Sequence, residues 1–194
     1  EINTGEAGIS EWIKALNDRH GIGFREKISL TVVAVCGLGG LGSNIAISLA
    51  RAGIGKLILI DFDKVDITNL HRQQYKANQI GMCKTEALQD NLKEINPYLE
   101  TKIHTICLDE SNAKDILSDA DIICEAFDNA EAKATIVNFV LSEMPEKYIV
   151  AASGMAGLDS ANLVKTRKIS KQFYLCGDGI SDVNDGIGLV SSRV

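Results

Sequence analysis

Residues 31–63, TVVAVCGLGGLGSNIAISLARAGIGKLILIDFD, pass from one apolar run through a glycine cluster and a helical pattern into a second apolar run. TVVAVC is continuous and β-branched, the pattern of a strand buried on both faces. In SNIAISLARAG, Ile45, Ala46, Leu49 and Ala50 recur at helical spacing, and Gly53 stands where a helix ends in a left-handed residue. KLILI, Lys56 to Ile60, is a second strand running into acidic DFD, so the whole makes a βαβ unit of about 30 residues. Gly37, Gly39 and Gly42 form G-x-G-x-x-G between strand and helix, with Gly40 inside the motif. Glycines there let the backbone turn tightly, approach a ligand closely and aim helix N-terminal amides at an anion. Asp61, 24 residues after Gly37, ends the second strand, where a carboxylate accepts hydrogen bonds from ribose hydroxyls. NAD and adenosine nucleotides satisfy these features equally.

The same alternation continues outward. A helix is predicted from Lys84 to Ile95 with Leu88, Leu92 and Ile95 on one stripe, stopping at Asn96-Pro97. TKIHTICL follows as a strand, SNAKDILSD as a short helix with Ser111 as N-cap, DIICEAF as a buried strand, EAKATIVNFVLSEM as a helix and KYIVAAS as a strand. Upstream, Trp12, Ile13 and Leu16 mark a short amphipathic helix, and charge-rich NDRHGIGFREK reads as a loop. Downstream, ANLVKT reads as an edge or antiparallel strand, and residues 177–188 as a glycine- and aspartate-rich loop of the mobile or ligand-ordered kind. The expected architecture is a Rossmann-like α/β fold: a mostly parallel sheet with helices on both faces, extended by antiparallel strands at the C-terminal end. Residues 1–28 form an N-terminal helical segment and residues 29–194 the nucleotide-binding domain.

At 194 residues the length suits one large domain. Apolar residues at 45% and charged ones at 24% are globular values, so disorder is not expected. No apolar run approaches the roughly 20 residues of a membrane span, and the first residues lack the pattern of a signal peptide. Twenty basic against 26 acidic residues leave a net charge of −6, which disfavours a protein built to cover nucleic-acid phosphates. Cys36, Cys83, Cys107, Cys124 and Cys176 include no Cys-x-x-Cys pair; scattered thiols of this kind read as reduced, in a cytoplasm. Cys36, Cys107 and Cys124 fall in apolar strand runs as small buried hydrophobes. His20, His71 and His104 have no partners at metal spacing and are given no role.

The segment after the second strand decides between the nucleotides. DFDKVDITNLHRQQY places Asp63, Asn69, Arg72 and Gln73 in quick succession, and Lys84 opens the next helix. A nicotinamide pocket has little use for that cationic charge, whereas a triphosphate needs it. At these residues the chain resembles the ThiF/MoeB family of adenylating enzymes, the bacterial relatives of ubiquitin-activating enzymes. The resemblance runs from about Val32 to Val194 and rests on GLGGLGS, on DFDxVDxxNLxRQ, on Ile80-Gly81 to Lys84, and on Phe127-Asp128-Asn129. It implies an ATP site in an adenylation domain: the backbone of Gly37 to Gly42 against the nucleotide, Asp61 on the ribose, Asn69, Arg72 and Lys84 on phosphate oxygens, and Asp128 on Mg²⁺. Asp63 and Gln73 belong to the same cofactor-binding set, and Arg72, Lys84 and Asp128 to the catalytic set. The residue types suit the chemistry, since a carboxylate attacking the α-phosphorus builds charge on groups already anionic. Asp128-Asn129 also reads simply as a helix N-cap.

The chain departs from the family in several places. The paired Cys-x-x-Cys motifs that bind structural zinc in many relatives are missing, so zinc is not expected, and Cys176 is the sole candidate thiol beside the 177–188 loop. The Arg-Tyr-x-x-Gln pattern that reaches the second subunit's phosphates is also missing, leaving Arg19 or Arg25 as substitutes in the homodimer that the resemblance implies. The expected activity is ATP-dependent adenylation of the C-terminal glycine of a small ubiquitin-like sulfur carrier of the ThiS type, as in thiamine biosynthesis. Alternatives are adenylation of a peptide or a modified tRNA base, or a non-catalytic or redox NAD-binding module. The acidic balance weighs against tRNA, and Arg72 and Lys84 weigh against NAD.

Overall fold

The computed structural model describes residues 8–153 and 160–181, without the side chains of His20 and Ala161. The glycine-rich loop is therefore described only as far as residue 181. Seven strands form one sheet: β1 (Val32–Cys36), β2 (Lys56–Ile60), β3 (Glu100–His104), β4 (Ile122–Glu125), β5 (Tyr148–Ala152), β6 (Lys165–Lys168) and β7 (Phe173–Gly177). Their order across the sheet is β3-β2-β1-β4-β5-β7-β6, parallel throughout except for the antiparallel β6. The order reverses at β1, whose two neighbours are β2 and β4. In open α/β sheets ligands bind at the carboxyl ends of such strands.

Alternation within the strands divides the core. Val33, Val35, Leu57, Leu59 and Cys124 face α3 (Gly40–Ala52) and α4 (Lys84–Ile95); Ala34, Cys36, Ile58, Ile60, Ile123 and Ile149 face α5 (Ala113–Leu117) and α6 (Ala130–Glu143). Small residues four apart, Gly42, Ala46 and Ala50, let α3 lie close on the sheet, and it ends at Gly53 with φ +86°.

Several expectations are corrected. The charge-rich segment after residue 16 is helical: α1 (Ile9–His20) breaks at Gly21, φ +80°, and α2 (Ile22–Leu30) runs into β1. Glu26 and Lys27 are exposed, Arg25 is partly buried, and Ile28 packs on the α3 side of the core. The third strand stops at His104, short of Leu108, which leaves Cys107 exposed instead of buried. Ser111 does not cap α5; its amide and hydroxyl bond to Asp109, and Asn112 is the residue at the cap. In ANLVKT only Lys165 and Thr166 are strand, since residues 161–163 form a 3₁₀ turn. The sequence pattern does not single out β7. No helix among the described residues is long and apolar enough to cross a membrane.

Candidate nucleotide site

The glycine loop joins β1 to α3 and bends under strict contact limits. Gly37 has φ +91°, and a Cβ there would stand 2.9 Å from the Ala126 carbonyl oxygen; at Gly42 it would stand 1.8 Å from the Gly37 oxygen. Those two glycines are therefore demanded by the fold itself. Gly39 and Gly40 are different: a Cβ at either would meet only side chains, Gln73 Nε2 at 3.8 Å and the Arg72 chain at 3.4 Å. α3 starts at Gly40 without a side-chain cap, so its first amides face the mouth of the loop.

Asp61 anchors the loop from β2. Its Oδ2 accepts the Leu38 amide at 2.6 Å and its Oδ1 the Asp63 amide at 2.8 Å, and only 8% of the residue is exposed. Tyr75 closes the other side by donating its hydroxyl to the Leu38 carbonyl at 2.7 Å. Burial, then the Asp61 and Asp63 carboxylates, push the phenol's pKa far up, so it stays a donor. The segment carrying Arg72 and Gln73 is stitched to α3. Ser43 donates to the Gly39 carbonyl and accepts the Gln74 amide, while the Asn44 amide group reaches both the Gly40 and Arg72 carbonyls. Gln73 is buried with Oε1 lacking a partner.

Lys84, at the start of α4, is 5% exposed and places Nζ 2.8 Å from Asp63 Oδ2, while its amide donates to the Asp63 carbonyl. Asn69 closes a 3₁₀ turn capped by Asp66, and its carbonyl accepts the Arg72 and Gln73 amides. Asp128 is exposed, three residues past the end of β4, in the turn whose Ala126 and Phe127 lie against Gly37. The alternative capping role falls to Asn129, whose Oδ1 accepts the Ala132 amide. The glycine loop, Asp61, Asp63, Asn69, Arg72, Gln73, Lys84 and Asp128 thus gather at the carboxyl ends of β1, β2 and β4. Cys176 does not join them. It lies on β7, with β4 and β5 between that strand and β1, and its Sγ stands 3.4 Å from Thr166 Oγ1. Arg19 and Arg25 sit on the helices that enter the amino end of β1, opposite its glycine loop.

Two contributors carry no motif signal. Tyr75 lies in the polar segment but bears no charge. Glu125, within an apolar run, is 1% exposed and paired with Lys133 of α6. A lone acid in such a run was the available sign.

The fold and this edge define a Rossmann-like α/β protein with a glycine loop at the switch point of its sheet. The chain belongs to the ThiF family, whose profile matches residues 14–181. Among curated relatives, the adenylyltransferase and sulfurtransferase MOCS3 of Caenorhabditis briggsae is 38% identical over 122 residues, covering 62% of this chain and 30% of that protein. Ubiquitin-like modifier-activating enzyme 5 of Caenorhabditis elegans is 38% identical over 142 residues, covering 68% and 33%. The chain thus spans about a third of the length of these relatives. Among solved structures, Escherichia coli tRNA N6-threonylcarbamoyladenosine dehydratase, TcdA, in complex with ATP superposes with a TM-score of 0.81 at 21% identity, covering 92% of this chain and 85% of that one. That likeness concerns the fold.

Proposed function

We propose that the chain is an adenylation domain that uses ATP and Mg²⁺ to activate the C-terminal carboxylate of a small ubiquitin-like carrier, of the ThiS type. The observation that carries this reading is the convergence of Asp61, Arg72, Gln73 and Lys84 on one glycine loop. In the reaction a carboxylate oxygen forms a bond to the α-phosphorus, the α–β phosphoanhydride bond breaks, and pyrophosphate leaves. The α3 amides and Gly39–Gly40 backbone take the nucleotide, Asp61 the ribose, and Asn69, Arg72 and Lys84 the phosphates. Lys84 reaches them by leaving Asp63.

Among the described residues no cluster of three or more His, Cys, Asp and Glu could hold a metal. Mg²⁺ fits nonetheless, because it is typically held by one or two carboxylates together with substrate phosphates, and Asp128 presents an exposed carboxylate. Bound there, it would neutralise phosphate charge. Cys176 is the thiol available for onward sulfur transfer, and adenylation itself needs none. The activities for which the relatives are named, adenylyl transfer and sulfur transfer in one and modifier activation in the other, support a carrier substrate. The same reading takes the protein as a homodimer with Arg19 or Arg25 reaching the second site.

A second reading, adenylation of a modified tRNA base, draws on Lys165, Arg167 and Lys168, exposed together on edge strand β6. Pyrophosphate exchange into ATP, measured with glycine-terminated carriers and with tRNA, separates the two. Lys84→Ala is expected to lower carrier-dependent exchange by about 10²-fold with less effect on ATP affinity, the scale of one preorganised contact. Unchanged exchange in that variant, or micromolar NAD binding without ATP binding in calorimetry, overturns the reading.

A further inference from the structure

Glu125 is the last residue of β4, level with Cys36 of β1 and Ala151 of β5, and it is as deeply buried as the leucines around it. Lys133 Nζ lies 2.7 Å from Oε1 and 2.8 Å from Oε2. The Lys133 side chain keeps 24% of its exposure, whereas that of Glu125 has none. A buried ion pair alone says little, because an apolar pair of similar volume often serves stability as well or better.

The remaining contacts of this carboxylate set it apart. Oε1 also accepts the Phe127 amide at 2.8 Å, and the backbone of Ala152 at the end of β5 favours its charged form. Lys133 in turn donates its own amide to the Asn129 carbonyl at 3.0 Å, and Asn129 caps the helix through Ala132. The turn is thus fastened at both ends. Glu125 holds Phe127 on one side of Asp128, the α6 cap holds Asn129 on the other, and the Lys133 side chain ties the helix back to Glu125. Ala126 and Phe127, between these fastenings, are the atoms that confine Gly37.

We infer that Lys133 is a positioning residue: acting through Glu125, it fixes the 126–129 turn and so sets where the Asp128 carboxylate stands relative to the glycine loop. The role given to Asp128 rests on the adenylation reading; the fixing of the turn does not. Arg at 133 preserves charge and donors, while Met preserves length and removes both.

The test is hydrogen exchange of the peptide spanning Phe127 and Asp128, with the Mg²⁺ dependence of pyrophosphate exchange measured beside it. Lys133→Met is expected to speed exchange in that peptide by about tenfold or more beyond any speeding seen in β1 and β2, which reports the loss of global stability, and to raise the half-saturating Mg²⁺ by a similar factor. Lys133→Arg should restore both. Should Lys133→Met fail to fold, Glu125→Leu/Lys133→Met removes both charges, and the same loosening is expected in a stable fold. Wild-type protection of the turn in either folded variant overturns the inference. Absence of pyrophosphate exchange in the wild-type protein would sink the adenylation reading instead, and leave the exchange result to decide the turn.

Discussion

Two buried carboxylates flank β1: Asp61, one residue beyond β2, and Glu125, the last residue of β4. Asp61 is surrounded by dipoles. Its oxygens take the amides of Leu38 and Asp63, and it lies at the edge of the sheet with a remnant of exposure. Glu125 has a cation of its own, whose ammonium spans both oxygens, and the Phe127 amide besides. Burial raises the Glu125 pKa, while Lys133 and the Phe127 and Ala152 amides pull it back. A carboxylate held by amides alone keeps lone pairs for neutral hydroxyl donors, and one neutralised by an internal ammonium does not. Under the proposed function the first serves a ribose and the second serves the chain.

The largest test of this contrast is Lys133→Met, which leaves Glu125 buried without its cation. Urea unfolding is expected to show a loss of about 3 kcal/mol, the low end for removing one partner of a buried pair because Lys133 retains some exposure. Glu125→Leu/Lys133→Met should recover most of it. A loss below about 1 kcal/mol in the single variant would make the pair ordinary. Asp61→Ala comes next. It orphans the buried Leu38 amide and the partly buried Asp63 amide, for an expected loss of about 2 kcal/mol, and should weaken ATP binding by about tenfold or more in calorimetry. Full stability with lost ATP affinity would show that the glycine loop holds its shape without Asp61.

The two regions were not equally legible. The β1-α3-β2 unit announces itself because both strands are unbroken apolar runs and the glycines between them answer to contacts as close as the one at Gly42. Asp61, Arg72 and Lys84 stand out as polar residues dense enough to exceed a surface loop. Glu125 and Lys133 do not: an eight-residue separation across strand, turn and helix has no period, and an acid inside DIICEAF reads as the end of a strand. β7 escaped for a related reason. FYLCG is only partly buried over most of its length and follows the charged, exposed β6, so its four apolar residues make too short a run to mark a strand. α2 was hidden by its charges, since a helix with one narrow contact at Ile28 looks like solvated loop.

A third carboxylate sharpens the contrast from its weak side. Asp63 also pairs with a lysine, but the burial is reversed: the Lys84 side chain is 7% exposed and that of Asp63 is 50% exposed. Water at the carboxylate screens the pair, so its net contribution belongs with exposed ion pairs and not with the Glu125–Lys133 contact. Asp63→Asn keeps an oxygen that can accept from Lys84 Nζ, and its amide N–H can still donate to Asp61. Urea unfolding is therefore expected to move by less than about 1 kcal/mol. A loss of about 3 kcal/mol, equal to that of Lys133→Met, would mean that the buried ammonium alone sets the cost. A carboxylate committed to the chain and one left open to solvent would then contribute alike to stability.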